Sequence, residues 1–538
     1  MQFIVFDSWP SFFKANDHHR SKPISQKQLK RHNLSNGRGP EFKVVSDRFE
    51  VKFSWTNLYG HKVVFEQSLF TQMEMDLDSL GKFALPWQYS RPQKSEIINH
   101  ISNGDAKLPN RSTMEKYARA WCSSIHFLVF PMISLDFFQR TLDLVYGSRD
   151  IKDYTASASA KAALYAFLSI ITIIEFTKDD APHGPSCEFY VAKAQSYLVD
   201  IIQESTIDGL QTLTIVILGT SFSGDYKKAA TFVSMAPRIA YALGGHKNPF
   251  EPHHGEALVY NTSRPECHVR NLFWLCYTFD KELALRTGQP PSINDDNCDL
   301  TMPPGYIELQ NSNICCPDVV IDNTTVPLYP WDPRLSVIKS RTYKLLYSES
   351  AIRKSKSEIL QHIRELDDNL EQWRLSLSRE FRPTLTFSED TLFPSALLAT
   401  QPIMLRLAYH HCVIIIHSAS NRCRESSDLG MQEIGVASSL GLSVEAARSS
   451  LLYLQAALPK IARECFWIIL FYVVSSIVTI LGHMISNPND SKYASDFKLL
   501  IQVSDMVQSF PITELSAAEL IQMQLVKDFS RELASMHY

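Results

Sequence analysis

The spacing of the cysteines in this chain shows most directly whether the sequence could form a metal site. Ten cysteines are scattered along the 538 residues, and no Cys-x-x-Cys pair occurs. A structural zinc ion needs thiolates or imidazoles at short, repeated separations, and the adjacent Cys315 and Cys316 are too close together for ordinary chelation of one ion. The cysteines therefore predict neither a zinc site nor a disulfide framework, and their scatter favours a reducing compartment.

Histidines form a second candidate cluster, at His410, His411 and His417. On a helix His410 and His417 share a face but lie two turns apart. That separation is too large for the two to hold one metal without a third ligand. We interpret these residues as structural histidines and predict no metal ion and no cofactor.

The motifs of the common enzyme classes are missing. The sequence contains no G-x-x-x-x-G-K-[ST] phosphate loop, no G-x-G-x-x-G after a strand, no H-E-x-x-H and no G-x-S-x-G. The segment GTSFSG at 219–224 fails the last pattern because Ser223 stands where the second glycine is required. We predict that the protein is not an enzyme and name no catalytic or ligand-binding residue.

The charge balance excludes a molecule that binds nucleic acid through its overall field. Lys and Arg number 53 against 57 Asp and Glu, a formal net charge of -4. The tract 18–43 is the local exception, with seven basic residues against one acid. It reads equally well as a nuclear-import or phosphate-contacting tract and as a flexible arm.

The elements that would position any functional residue are helices. From about Ser112 onward the sequence contains long apolar runs without the alternation and turn residues typical of strands, which predicts an all-α body. The runs lie at 160–176, 212–222, 229–243 and 402–417. Before this body, apolar residues alternate with polar ones from Phe49 to Trp55, and the run HKVVF follows. This pattern predicts a β-hairpin. Loops are expected near 246–267, 300–333 and 418–443.

One helix is apolar enough to raise the question of a membrane. No residue between Glu464 and Asp490 carries a fixed charge, and the run at 466–484 has about the length of a bilayer span. Ser475, Ser476 and His483 interrupt it, and no basic cluster flanks it. We interpret it as a buried core helix and keep a membrane-associated protein as an alternative.

A heptad-like seam marks another helix. Its apolar residues step by four and three positions along one face, which suits either a two-chain zipper or packing within the chain's own bundle; they are Ile359, Ile363, Leu366, Leu370, Trp373 and Leu377. Because the seam has fewer than about three heptads, we favour packing within the bundle.

The segment 269–303 resembles the regulatory middle-homology domain of fungal zinc-cluster transcription factors. In that family an aromatic helix ends in a G-[RQ]-P turn, and a short acidic stretch leads on to D-[VIL]-x-x-P. The residues of this chain that match the pattern, called the signature residues below, are Arg270, Trp274, Tyr277, Asp280, Lys281, Gly288, Pro290, Asp299 and Pro303. Further stretches agree in order, so that the resemblance covers about 112–490.

Elementary chemistry gives the signature residues structural roles. Gly288 tolerates positive φ at a helix end, and Pro290 with Pro291 prevents the helix from continuing. We expect Val269 and Leu272, with their helical-spacing neighbours, to form a packing face, and Asp280 to be held by a nearby cation or loop N–H.

The predicted organisation has four parts. They are a basic flexible arm at 1–48, a small region with the hairpin at 49–111, the regulatory domain at 112–490, and C-terminal helices that pack on the body at 491–538.

The resemblance implies a nuclear transcription regulator that controls a metabolic or secondary-metabolite gene set. Such factors usually carry a six-cysteine zinc module, yet no cysteine precedes Cys122. We therefore expect action through other transcription factors or coactivators, with DNA contacted only indirectly or through tract 18–43, no membrane, and a homo- or heterodimer as an open question. The alternatives are a helical interaction module that does not bind DNA and a truncated gene product.

Overall fold

The computed structural model describes the backbone of residues 43–45, 48–56, 62–70, 108–147, 156–173, 187–250, 260–315, 321–379, 381–388, 400–423, 430–461 and 465–509. The predicted arm at 1–48 lies almost wholly outside these residues. So does the part of the predicted C-terminal helices beyond 509.

A three-stranded antiparallel sheet occupies the region where the sequence predicts a hairpin. Its strands are β1 (Lys43–Val45), β2 (Arg48–Thr56) and β3 (Lys62–Phe70), in the order β1-β2-β3. In β2 and β3, Phe53 lies opposite Phe65, and residues Lys62 to Phe65 of the second predicted run lie in β3.

All other regular structure in the described residues is helical, which confirms the predicted all-α class. The seventeen α-helices are α1 (Arg111–Cys122), α2 (Ile125–Val129), α3 (Leu135–Tyr146), α4 (Ala156–Ile173), α5 (Cys187–Gln195), α6 (Leu198–Glu204), α7 (Ile207–Phe222), α8 (Tyr226–Ala242), α9 (Pro265–Thr287), α10 (Tyr306–Cys315), α11 (Pro333–Thr342), α12 (Glu349–Ile352), α13 (Lys356–Ser376), α14 (Thr400–Ser418), α15 (Gly430–Ala457), α16 (Phe466–Ser486) and α17 (Tyr493–Gln508). A π-helical segment at Tyr343–Tyr347 follows α11 directly.

The chain divides into two compact units. One comprises Arg91–Thr479, and the other comprises Met1–Ser90 together with Ile480–Tyr538. The helices α1–α15 and the first part of α16 belong to the former, which contains every residue of the candidate site described below. The four-part organisation given above stays a prediction.

Helix α9 is the centre of the larger unit. Proline at its first position suits a helix start, because Pro265 has no N–H to leave unsatisfied there. Every residue from Cys267 to Arg286 is buried. The residues expected to form a packing face are buried, and so are the others of this stretch, because α7, α8 and α11 all pack against the helix.

The heptad-like seam lies on α13 and is used inside the chain. All six of its residues are at most 5% exposed, and α13 packs against α11 and α14. Ser355 and Glu358 form a capping box at the start of this helix. The seam is therefore not free to zip two chains together.

Two of the predicted loops contain helices. Within 418–443 the chain forms a 3-10 segment at Ala419–Cys423 and then enters α15 at Gly430, and within 300–333 it forms α10. Glycine and serine disfavour a helix only weakly, by about 1 kcal/mol for glycine. Extensive packing of α15 against α14 outweighs that preference.

Helix α16 holds the apolar run that raised the membrane question. By length and composition it is the one helix of the described residues that could span a bilayer, and 67% of its most apolar window is buried within the protein. Its residues Trp467, Ile468 and Tyr472 form hydrogen bonds with other core elements. The first half of α16 is therefore a packed core helix.

Candidate functional site

The signature residues lie along α9 and the chain that follows it. Arg270 donates from Nη1 to the Gly245 carbonyl at 3.0 Å, and from Nη2 to the carbonyls of Asp299 at 2.6 Å and Thr301 at 3.2 Å. Its guanidinium also lies 4.7 Å from the Trp274 ring centroid. Burial lowers the pKa of Arg270 to about 10, and the side chain stays charged at neutral pH. Arg270 thus fixes the segment 299–301 to the helix.

Asp280 fixes the nearer part of the same connection. Its Oδ1 accepts the Ser292 N–H at 2.7 Å, and its Oδ2 accepts the Ile293 N–H at 3.1 Å. The neighbouring Lys281 lies 3.1 Å from Asp280 Oδ2 and 3.2 Å from Asp295 Oδ1. Both kinds of partner expected for Asp280, a cation and loop N–H groups, are therefore present.

The remaining signature residues complete this attachment. Tyr277 donates to Asp295 Oδ1 at 3.2 Å, and Gly288 ends the helix in the left-handed region at φ 72°. Pro290 is exposed and Pro303 is buried, at the two ends of the connection. The structure thus brings Arg270, Tyr277, Asp280 and Lys281 together against the segment 288–303, where they hold a long connection in one place.

A second polar cluster on α9 was not identified from the sequence. Glu282 Oε1 accepts from Arg286 Nη2 at 2.7 Å and from Arg286 Nε at 2.8 Å, while Glu282 Oε2 pairs with Lys339 of α11. Tyr472 of α16 donates its hydroxyl to Glu282 Oε1 at 2.9 Å. One buried carboxylate therefore joins three helices, and two cations face it.

Aromatic residues enclose this cluster. The Trp331 indole N–H donates to the Tyr472 hydroxyl at 3.2 Å. Arg286 donates to the Tyr226 hydroxyl at 3.3 Å and to the Ile468 carbonyl at 3.2 Å, and its guanidinium lies 4.3 Å from the Phe471 ring centroid. Hydrogen bonds to the charged groups offset much of the penalty for removing them from water.

The electrostatics of the cluster keep the Glu282 carboxylate charged. Burial alone would raise the pKa of Glu282, but the charges of Lys339 and Arg286 outweigh it and hold that pKa well below its ordinary value. Burial lowers the pKa of the nearby His411 to about 3, so this histidine is neutral in the interior. Because no member of the cluster reaches solvent, its chemistry is that of a fixed ionic clamp.

The three histidines considered for metal binding have separate environments. His410 donates from Nε2 to the Thr384 carbonyl at 2.9 Å, whereas His417 contacts Ser439 Oγ at 2.9 Å and Asp367 Oδ1 at 3.2 Å. His411 packs edge-on against Phe471 and Tyr472. Among the described residues no group of three or more His, Cys, Asp or Glu side chains is placed to hold a metal ion.

A signal for the Glu282 cluster does exist in the sequence. Three successive charged residues, Asp280 to Glu282, interrupt a helix whose other residues are largely apolar. In a helix buried on every side, each such charge must find a partner. The partner Lys339 could not be named, since 57 residues separate it from Glu282.

The larger unit is thus an all-α body with the clamped helix α9 at its centre. A family model described as the fungal specific transcription factor domain matches residues 150–375, which include α9, α11 and the start of α13. Residues 150–375 of the chain are thus similar to a fungal-specific transcription factor domain.

Curated relatives agree with that domain. The "ABC-transporter-regulating transcription factor" of Aspergillus fumigatus is 27% identical over 355 residues, which cover 64% of this chain and 38% of the relative. The "Fusaridione A cluster transcription factor fsdR" of Fusarium heterosporum is 23% identical over 397 residues, which cover 72% of this chain and 71% of the relative.

A further relative and the solved structures complete the comparison. The "Negative regulator of pleiotropic drug resistance STB5" of Candida glabrata is 22% identical over 313 residues, which cover 56% of this chain and 29% of the relative. The chain thus spans little more than a third of the Aspergillus fumigatus relative. No solved structure matches the chain.

Proposed function

We propose that this protein is a fungal transcription regulator that acts in the nucleus. The observation that carries the proposal is the match of the fungal-specific transcription factor domain to 150–375, the part of the chain built around α9. Relatives from several fungi with regulator names support it. The buried clamp of Glu282, Arg286 and Lys339 is suited to a rigid body that presents surfaces to other proteins.

The regulated genes belong, in this proposal, to a metabolic, secondary-metabolite or transport set. One relative is named for regulating an ABC transporter and another for a cluster that makes a named metabolite. The protein reaches its promoters through other transcription factors or coactivators. Its net charge of -4 supports this indirect route, because only tract 18–43 concentrates positive charge strongly enough to attract DNA.

A tethered reporter tests the proposal. The chain is fused to an unrelated DNA-binding module and expressed in a fungal host with a reporter that carries that module's operator. We expect the fusion to change reporter expression, and Glu282→Gln to abolish the change while Glu365→Gln, an exposed carboxylate on α13, preserves it. A fusion of normal abundance that leaves the reporter at the level of the unfused module would contradict the proposal.

A further inference from the structure

Arg406 of α14 is a buried cation with no counter-ion among the described residues. The side chain is 8% exposed, and its Nη1 has no hydrogen-bond partner in the described part of the chain. Its Nη2 makes one long contact, 3.4 Å to the Arg382 carbonyl. The guanidinium lies 4.8 Å from the Tyr453 ring centroid, and the pKa of Arg406 is lowered by burial. Such an unpaired buried charge is unfavourable.

This lack of compensation sets Arg406 apart from the other buried cations. Each of the others in the described residues is matched by a carboxylate or by several carbonyls: Arg286 and Lys339 by Glu282, Lys281 by Asp280, and Arg270 by three main-chain oxygens. A guanidinium pairs most strongly with a carboxylate, through two parallel N–H groups. The open Nη1 and the weakly held Nη2 of Arg406 offer that pair.

His410 supplies a second open group one turn along the same face of α14. Its Nε2 faces the Thr384 carbonyl at 2.9 Å and so carries the proton, an assignment that follows from this contact. Its Nδ1 is buried and has no partner in the described part of the chain. The neutral ring can therefore accept one further hydrogen bond at Nδ1.

A short segment contacts both groups through its main-chain carbonyls. Residues 381–388, called the strap, follow α13 and cross α14 and α15. Hydrogen bonds hold the strap. The Thr384 carbonyl accepts from His410, and the Phe387 N–H donates to Ser449 Oγ at 3.0 Å. The Pro383 carbonyl accepts from Arg374 at 3.1 Å. Thr384 is itself exposed. Arg406 and His410 therefore both lie against carbonyls of the strap.

We propose that Arg406 and His410 form a binding site for a small hydroxycarboxylic acid beneath the strap. The carboxylate of the ligand pairs with the Arg406 guanidinium and supplies the missing counter-charge. The adjacent hydroxyl donates to His410 Nδ1, and the Tyr453 ring lines the site. The site lies outside residues 150–375, which the family model matches.

Thermal melting of the purified full-length chain tests this site, with malate, succinate or inorganic phosphate added and sodium chloride at matched ionic strength as the baseline. Succinate lacks only the hydroxyl of malate, so the pair isolates the contact with His410. A ligand that binds the native state alone raises its melting temperature. Relative to the sodium chloride baseline, we expect malate to raise the melting temperature most and succinate to raise it less. Phosphate tests whether any oxyanion suffices, and we expect it to raise the melting temperature less than malate does.

Two charge-removing variants locate the effect. Arg406→Gln is expected to lower malate affinity about tenfold or more without lowering the melting temperature of the free protein, because it removes an unpaired buried charge. Arg364→Gln removes an exposed charge on α13 and should leave the response unchanged. If Arg406→Gln does not fold, two tests replace it. One is the response of Arg406→Lys to malate, and the other is hydrogen exchange of the strap in the wild-type protein, which malate is expected to slow.

The proposal is overturned if malate raises the melting temperature no more than chloride does. It is also overturned if succinate or phosphate equals malate, or if Arg406→Gln retains the full response. Binding is measured on the isolated protein, so these outcomes do not depend on any transcription assay.

Discussion

Glu282 of α9 and Lys339 of α11 form an ion pair in the interior of the protein, with side chains 2% and 0% exposed. Arg286 lies on the other carboxylate oxygen at 2.7 Å. One negative charge is therefore shared between two buried positive charges, and its loss would leave both uncompensated. We therefore expect the loss of this carboxylate to destabilise the protein.

Glu282→Gln is expected to destabilise the protein by about 3–5 kcal/mol, since it leaves Arg286 and Lys339 buried without an anion. Thermal melting followed by circular dichroism gives the measurement, and Glu365→Gln serves as a surface control with a change within about 0.5 kcal/mol. Adding Lys339→Met to Glu282→Gln should recover part of the loss. Equal melting temperatures for Glu282→Gln and the control would show that the pair has no structural role.

Asp280→Asn should loosen the connection that follows α9. The amide keeps one acceptor oxygen for the N–H groups of Ser292 and Ile293 but no longer attracts Lys281. We expect faster hydrogen exchange at 289–299, by about tenfold for a loss of about 1.4 kcal/mol. Asp296→Asn, an exposed residue of the same segment, is the control, and identical exchange in the two variants would argue against this role for Asp280.

Gly288→Ala is expected to cost about 1 kcal/mol, because φ at this position is 72° and a side chain there is strained. Gly435→Ala should have the opposite sign. Gly435 is exposed within α15, a Cβ there would meet nothing within 4 Å, and alanine favours a helix by about 0.5–1 kcal/mol. Urea unfolding midpoints compare the two variants, and a shift in the same direction for both would contradict the assignment.

The beginning and end of α9 could be predicted from sequence, because they depend on local chemistry. Pro265 and Gly288 occupy the positions that a helix start and a helix stop favour. The same holds for the seam of α13, whose spacing alone indicates one buried face. The start of α15 at Gly430 could not be predicted, since its helix depends on packing against α14 rather than on its own residues.

The candidate site could be predicted only in part for a related reason. The signature residues are close in sequence and match a family pattern, so they could be named in advance. The partners Lys339 and Tyr472 come from other helices, and no pattern within 280–286 identifies them. Long-range pairing of single charges leaves almost no trace in one sequence.

Stability should fall as the solution is acidified. Burial lowers the pKa of His268 to about 3, of His410 to about 4 and of His411 to about 3, from an ordinary value of 6.5. Because these values are depressed, the unfolded chain binds protons first, and stability that is full above pH ~6.5 declines as the pH drops toward ~4. Each histidine contributes about 1.4 kcal/mol per pH unit in that window.

Melting temperatures measured across this window check the expectation, and His268→Gln should make the decline shallower by one proton's contribution. A melting temperature that is constant from pH ~7 to ~4.5 would show that these histidines titrate normally.

Helix α16 should behave as a core element and not as a membrane anchor. Tyr472→Phe removes the hydroxyl that joins Trp331 to Glu282, and we expect a loss of about 1.5–3 kcal/mol, the range for hydrogen bonds to charged groups. The wild-type protein should leave the membrane pellet on alkaline carbonate extraction. Retention in the pellet, with unchanged stability of the variant, would favour the membrane alternative.

The central claim is that this helical body works at promoters. Chromatin immunoprecipitation of the tagged full-length chain, expressed at its native level in the fungus that encodes it, tests that claim most directly. The account predicts enrichment at the promoters of a limited set of metabolic or transport genes whose transcripts change when the gene is deleted. A normally abundant protein with no promoter enrichment and no transcript change on deletion would contradict it.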